Sequence, residues 1–167
     1  MSNFNAKDYK VKSDLNLTYY SVSFTRPNDT TAYAQYDAVA DSTSAPTLLS
    51  IKVKKGLIMT AKFATGKTSG TIPNGSFKVR LLNAPVTAVN DNAALPMLWA
   101  NKAKGFADID FTTLSGGTGS DGVSAKVQNL NIVNNWDTIY ILVEVASVTY
   151  TPIELQEFYI EFGMLTN

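Results

Sequence analysis

Histidine and cysteine are both absent from the 167-residue chain. Ser–His and Cys–His nucleophile arrangements therefore cannot be built, nor can zinc sites made of imidazole or thiolate. Carboxylate chemistry, lysine chemistry and oxygen-ligand metals remain. Paired carboxylates hydrolyse glycosides when they flank a sugar bond. The candidates are Asp108 with Asp110, and Glu154 with Glu157 and Glu161. Asp108 and Asp110 stand two apart in GFADIDF, so a strand there turns both to one face and Ile109 and Phe111 to the other. Glu157 and Glu161 alternate with Phe158, Ile160 and Phe162 in the same way. Both sets read as the wet faces of strands, not as an active site. No stretch has the spaced Asp/Asn loop of an EF-hand, and calcium is left open as another use for these carboxylates. The expectation is a non-enzymatic protein without a cofactor.

Two phosphate-loop look-alikes fail on context. Gly66-Lys67-Thr68 resembles the end of a P-loop, but Ala61 stands where the first glycine is needed, and Ser69-Gly70-Thr71-Ile72-Pro73 cannot open a helix. Gly117, Gly119 and Gly122 satisfy G-x-G-x-x-G by count, yet a strand pattern follows where a helix is required. Three glycosylation sequons, at Asn16, Asn28 and Asn74, read as coincidences, because residues 1–12 (MSNFNAKDYKVK) lack the apolar run of a signal peptide.

The elements that would position any site are strands. Tyr20, Val22 and Phe24 alternate with polar neighbours, as do Ile51 and Val53, Phe77, Val79 and Leu81, and Val123, Ala125 and Val127. Residues 139–145 (IYILVEV) are nearly all apolar and read as a central strand covered on both faces. Asn74-Gly75, Gly56, Gly66 and residues 115–122 read as turns between the runs. The best helical candidate, 93–103, contains Pro96 and reads as a loop with one turn at most. This pattern predicts an all-β, antiparallel β-sandwich of jelly-roll type with about eight to ten strands. The predicted organisation is an N-terminal arm, 1–14, and a single sandwich domain, 15–167.

Fourteen basic residues balance fourteen acidic ones. Zero net charge gives no reason to expect nucleic acid or an anionic membrane as partner, and it leaves little repulsion between copies. No segment approaches the roughly 20 apolar residues of a membrane span. The expected product is soluble and made in the cytoplasm. Trp99, Trp136 and eight tyrosines fit two roles, filling the sandwich or stacking on sugars.

Residues 23–39, SFTRPNDTTAYAQYDAV, resemble a signature of the form T-R-P-x-D-T-T-A-Y-A-x-x-D-V-V. That signature marks a family of tailed-bacteriophage head structural proteins, some of which resemble capsid decoration (cement) proteins. Thr25, Arg26, Pro27, Asp29, Thr30, Thr31, Ala32, Tyr33, Ala34, Asp37 and Val39 match, and Tyr36 and Ala38 depart. Asp91-Asn92-Ala93, Gly105-Phe106 and Tyr150-Thr151-Pro152 extend the likeness more loosely. The resemblance implies a virion protein on the head surface, made in the host bacterial cytoplasm. Its partners would be the major capsid protein and itself, as a homotrimer. A carbohydrate- or host-receptor-binding module of a virion is the alternative.

The signature also makes local sense. Arg26-Pro27 ends a strand, residues 28–31 turn, Tyr33 and Tyr36 pack beneath the turn, and Asp37 is expected to pair with Arg26. A capsid contact at this corner is the other reading. Candidate interaction residues are Arg26, Tyr33 and Tyr36 here, and Phe4, Tyr9 and Lys10 in the arm. The arm is expected either to order at a partner surface or to be an ordinary frayed end.

Overall fold

A computed structural model describes residues 16–67, 71–96, 99–114 and 122–166. The expected arm, with Phe4, Tyr9 and Lys10, lies outside the described residues, as do Gly117 and Gly119. Ten strands and one helical turn run in the order β1 (Asn16–Thr25), β2 (Tyr33–Ala34), β3 (Leu49–Lys52), β4 (Gly56–Gly66), β5 (Phe77–Leu82), α1 (Trp99–Lys102), β6 (Gly105–Phe111), β7 (Gly122–Asn134), β8 (Thr138–Val145), β9 (Thr149–Tyr150) and β10 (Glu157–Thr166) among the described residues.

Two antiparallel four-stranded sheets pack face to face as a β-sandwich. The first has the order β1-β10-β4-β7 and the second β3-β8-β5-β6, and β2 pairs with β9 in a small separate ladder. Alternation explains the core. Phe158, Ile160, Phe162 and Met164 of β10 point inward and are fully buried, as are Phe77, Val79 and Leu81 of β5. Phe63 of β4 joins the two sheets. Its ring centroid lies 4.9 Å from Phe77, 5.4 Å from Phe111 and 5.8 Å from Phe158.

Gly56 and Gly66 do not lie in turns, as their spacing suggests, but are the two end residues of β4. The alternation conceals this strand because its phase slips. Ile58 faces the core and so do Ala61, Phe63 and Thr65, while Met59 is an extra residue at a bulge against both neighbours. At the same place β7 carries Asn129 and Asn131 at φ 57° and 53°, a conformation asparagine tolerates.

β8 is central, between β3 and β5, and both of its faces are covered. Ile139, Ile141, Val143 and Val145 enter the main core. Leu142 belongs to a second apolar cluster on the outside of the sheet, with Ala38, Leu82 and Leu95, against which Leu48, Val86, Val89 and Tyr140 pack. Residues 36–39 run beside the second half of β8, where β3 has already ended: Val39 N–H donates to Val143 O (2.9 Å) and Val145 N–H to Asp37 O (2.9 Å). The near-continuous apolar sequence of β8 thus follows from two cores, not one.

Phe63→Ala removes the ring shared by both sheets. It is expected to cost about 3–5 kcal/mol of unfolding free energy, read from urea denaturation. Leu17→Ala, on the open face of β1, should change it by less than about 0.5 kcal/mol.

Candidate functional site

Arg26 follows β1 directly, and its N–H donates to Gln156 O at 3.0 Å, which draws the chain into one end of the sandwich. Its guanidinium is wholly buried. Nε donates to the Tyr33 hydroxyl (3.0 Å), and Nη2 to Asp91 Oδ2 (3.0 Å) and Asp29 Oδ1 (3.2 Å). Nη1 donates to the Asp29 carbonyl and, at 3.4 Å, to Ile153 O. Asp91 Oδ1 accepts from the Tyr33 hydroxyl (2.6 Å) and from Ala40 N–H (2.9 Å). Asp29 Oδ1 also accepts from Thr31 N–H (2.9 Å), the side-chain turn expected of residues 28–31.

The network continues through the β2–β9 ladder. Tyr33 faces Tyr150 in register, and Gln156 Nε2 donates to the Tyr150 hydroxyl (2.6 Å) and to Thr65 Oγ1 (2.5 Å). Thr65 in turn donates to Glu157 O at 2.7 Å. Among the described residues no buried side-chain nitrogen or oxygen is left without a partner. Such saturation is what a buried charge requires.

Two expectations for this corner need correction. Arg26 does not pair with Asp37; its buried partner is Asp91, 65 residues further along the chain. Asp37 Oδ2 instead accepts from Ala34 N–H at 2.7 Å. Nor does Tyr36 pack beneath the turn with Tyr33. Tyr33 is 1% exposed and Tyr36 56% exposed. One feature explains both. Tyr36 has φ 74°, so the backbone reverses there, turning its ring outward and Asp37 back onto the preceding turn.

Electrostatics follow from burial. Burial lifts the Tyr33 hydroxyl far above its ordinary value, reinforced by the Asp91 charge. Burial also raises Tyr150, to about 12, against the hydrogen bond from Gln156. Desolvation pushes Asp91 up, while the Ala40 amide, the Tyr33 hydroxyl and Arg26 pull it down. Desolvation works against the Arg26 charge, but Tyr33 and Asp91 outweigh it and hold Arg26 above its ordinary value. The Arg26 shift favours a charged pair and the Asp91 shift opposes it. With three hydrogen bonds aimed at its carboxylate, Asp91 is best described as ionised. Asp29 is held below the usual range, since the Thr31 amide and Arg26 outweigh its desolvation.

Of the paired carboxylates raised by the sequence, Asp108, Asp110 and Glu161 are engaged elsewhere. Asp108 pairs with Arg80 (2.7 Å) and Asp110 with Lys78 (3.5 Å), both outside the sandwich, while Ile109 and Phe111 are buried as expected. Glu161 accepts from the Tyr159 hydroxyl at 2.6 Å on the outer face of β10. Sequence reasoning missed Glu144, a buried carboxylate on β8 that accepts two-pronged from Arg80 at 2.8–3.1 Å. It also missed the roles of Asp91 and Gln156. Asp91 does carry a signal, since it opens the second stretch of the phage-family likeness. Trp136 is packed on Phe106, with centroids 4.7 Å apart, and is not displayed at a tip. No protein-family model matches the chain, and no curated protein matches its sequence.

Two measurements test this assignment. Asp91→Asn should cost about 3–5 kcal/mol, because Arg26 then keeps its charge without a buried counterion. Asp37→Asn should cost about 1 kcal/mol or less by the same denaturation assay. Comparable losses would reinstate Asp37 as the partner. The second test is alkaline unfolding. The folded state holds the Tyr33 and Tyr150 protons more tightly than the unfolded chain, so their contribution to stability is intact below the unfolded phenol value of about 10. It is lost as the pH rises towards and through about 12. Tyrosinate absorbance should rise in two phases, the second coinciding with loss of the sheet signal in circular dichroism.

Proposed function

We propose that the protein is a decoration (cement) protein of a tailed-bacteriophage head, binding the outer surface of the major capsid protein. The resemblance of residues 23–39 is the observation that carries this reading. Strand order supports it. Counting only the eight strands of the two main sheets, the first sheet runs 1-8-3-6 and the second 2-7-4-5. We read this as a jelly roll, an architecture used by viral capsid and lectin domains. Fold alone assigns no function, so the resemblance has to supply the class. The mechanism is stapling: a copy that bridges neighbouring capsomers binds only the assembled shell and stabilises it by mass action. A homotrimer would match three-fold positions of a lattice.

The contact we assign is the rim of the Arg26 corner. Tyr36 and Leu155 are large, 56% and 46% exposed, and both hold a left-handed backbone, at φ 74° and 52°. Val148, 78% exposed, follows the strand segment that pairs beside Tyr36. A bulky residue in that conformation costs roughly 1–3 kcal/mol and persists only where the surroundings hold it. The saturated Arg26 network supplies that rigidity, and the exposed side chains supply a surface to bury.

Tyr36→Gly separates the two roles, since glycine adopts φ 74° freely. The variant should be at least as stable as the parent. It should also lose about tenfold or more in co-sedimentation with empty heads assembled from the major capsid protein of the same phage. Absence of head binding by the parent protein, with selective binding on a glycan array, would replace this reading with the sugar- or receptor-binding alternative.

A further inference from the structure

Among the described residues the two main sheets end in four edge strands, and three of these are guarded. β3 is four residues long and carries Lys52. β6 is irregular at its start, where Leu81 and Leu82 of β5 face Ala107 and Gly105, and it carries Asp108 and Asp110. β7 carries Lys126 and, at its own irregularity, Asn129 and Asn131 in left-handed conformation. Short length, charge and bulges are the devices that keep a sheet edge from pairing with another chain. β1 has none of them. It runs ten residues in unbroken register with β10, and Asn16–Thr25 contains no charged residue and no proline. Among the described residues, Leu17 to Thr25 have no backbone partner besides β10. The core is also unfinished here. The inward side chains of β10 are fully buried, whereas Tyr20 and Val22, which face the same core from β1, are half-buried.

We propose that β1 pairs antiparallel with β1 of a second copy of this chain, about a two-fold axis at Ser21, and so joins the two four-stranded sheets into one. Residues opposed in an antiparallel pair share a face. Centred on Ser21, this sets Tyr20 against Val22 and Thr18 against Phe24 on the core side. On the outer side it sets Tyr19 against Ser23 and Leu17 against Thr25. Each pair occurs twice, as an isologous contact requires. Aromatic rings opposite β-branched side chains are among the pairs that stabilise sheets, and both core-side pairs are of this kind. No like charges meet, because the strand has none, and the zero net charge of the chain adds no repulsion between copies. A ladder of about nine rungs supplies about eight to ten backbone hydrogen bonds, as many as a standard interface holds. The inference concerns the free protein and does not rest on the capsid reading, whose three-fold assembly belongs to the lattice.

Ser21→Lys tests the contact without touching the core, since position 21 is exposed and faces Glu161 of its own chain. Across the two-fold axis, two lysines would stand directly opposite each other. In sedimentation velocity the parent protein should have the mass of two chains. Ser21→Lys should associate about tenfold more weakly or worse while keeping its β-sheet circular dichroism. Ser21→Asp should do the same. An equimolar mixture of the two variants should recover the dimer, because lysine then faces aspartate, and that recovery separates a lost contact from a lost fold. A parent protein that stays monomeric at high concentration, or sediments as three chains, would overturn the proposal. So would a dimer that both variants leave intact, or variants whose mixture does not reassociate.

Discussion

A guanidinium with no exposure to water sets the terms for one end of this sandwich. The Arg26 charge can be buried only if it is neutralised and every donor is accepted. Its counterion, Asp91, comes from the long connection between β5 and β6, and its remaining acceptors come from the β1–β2 turn, Tyr33 and the approach to β10. Three segments far apart in sequence, residues 26–33, Asp91 and Ile153, must therefore arrive together. One consequence reaches beyond the corner. Anchoring Asp91 holds the connection that carries Val86, Val89 and Leu95 against the outside of the second sheet. The apolar cover of β8 and the buried charge at its end are thus parts of one arrangement.

The same logic accounts for the carboxylates. Glu144 lies in a strand whose two faces are both covered, and Arg80 on the adjacent β5 meets it two-pronged while also reaching Asp108 on β6. One arginine thereby ties three neighbouring strands. A carboxylate engaged in this way serves as a cross-strand tie. The zero net charge of the chain is reflected locally in these pairs. Apolar surface remains at the corner, where Tyr36, Val148 and Leu155 are exposed.

How much was legible in advance depends on how local the cause is. The alternating runs predicted β1, β5, β6, β7 and β10, because a strand with one dry face must alternate. The apolar run 139–145 predicted a doubly covered strand for the same reason. β4 escaped because Met59 is bulged, and a single extra residue inverts the phase on which period-2 reading relies. Its flanking glycines then looked like turns. The Asx turn at Asp29 was legible, since a side chain that bonds the backbone two residues on needs no tertiary partner.

The partner of Arg26 was not. From sequence, the nearest suitable carboxylate downstream of the turn is Asp37, and only the reversal at Tyr36 removes it from reach. The sequence by itself determined the class of fold, the inward faces of most strands and the lack of imidazole and thiolate chemistry. These depend on composition and on a two-residue period. Tertiary structure alone decided which acid neutralises the buried arginine, which tyrosine is inside, and which sheet face is left open. Those outcomes depend on how segments separated by tens of residues meet, and burial makes each meeting costly to satisfy in any other way.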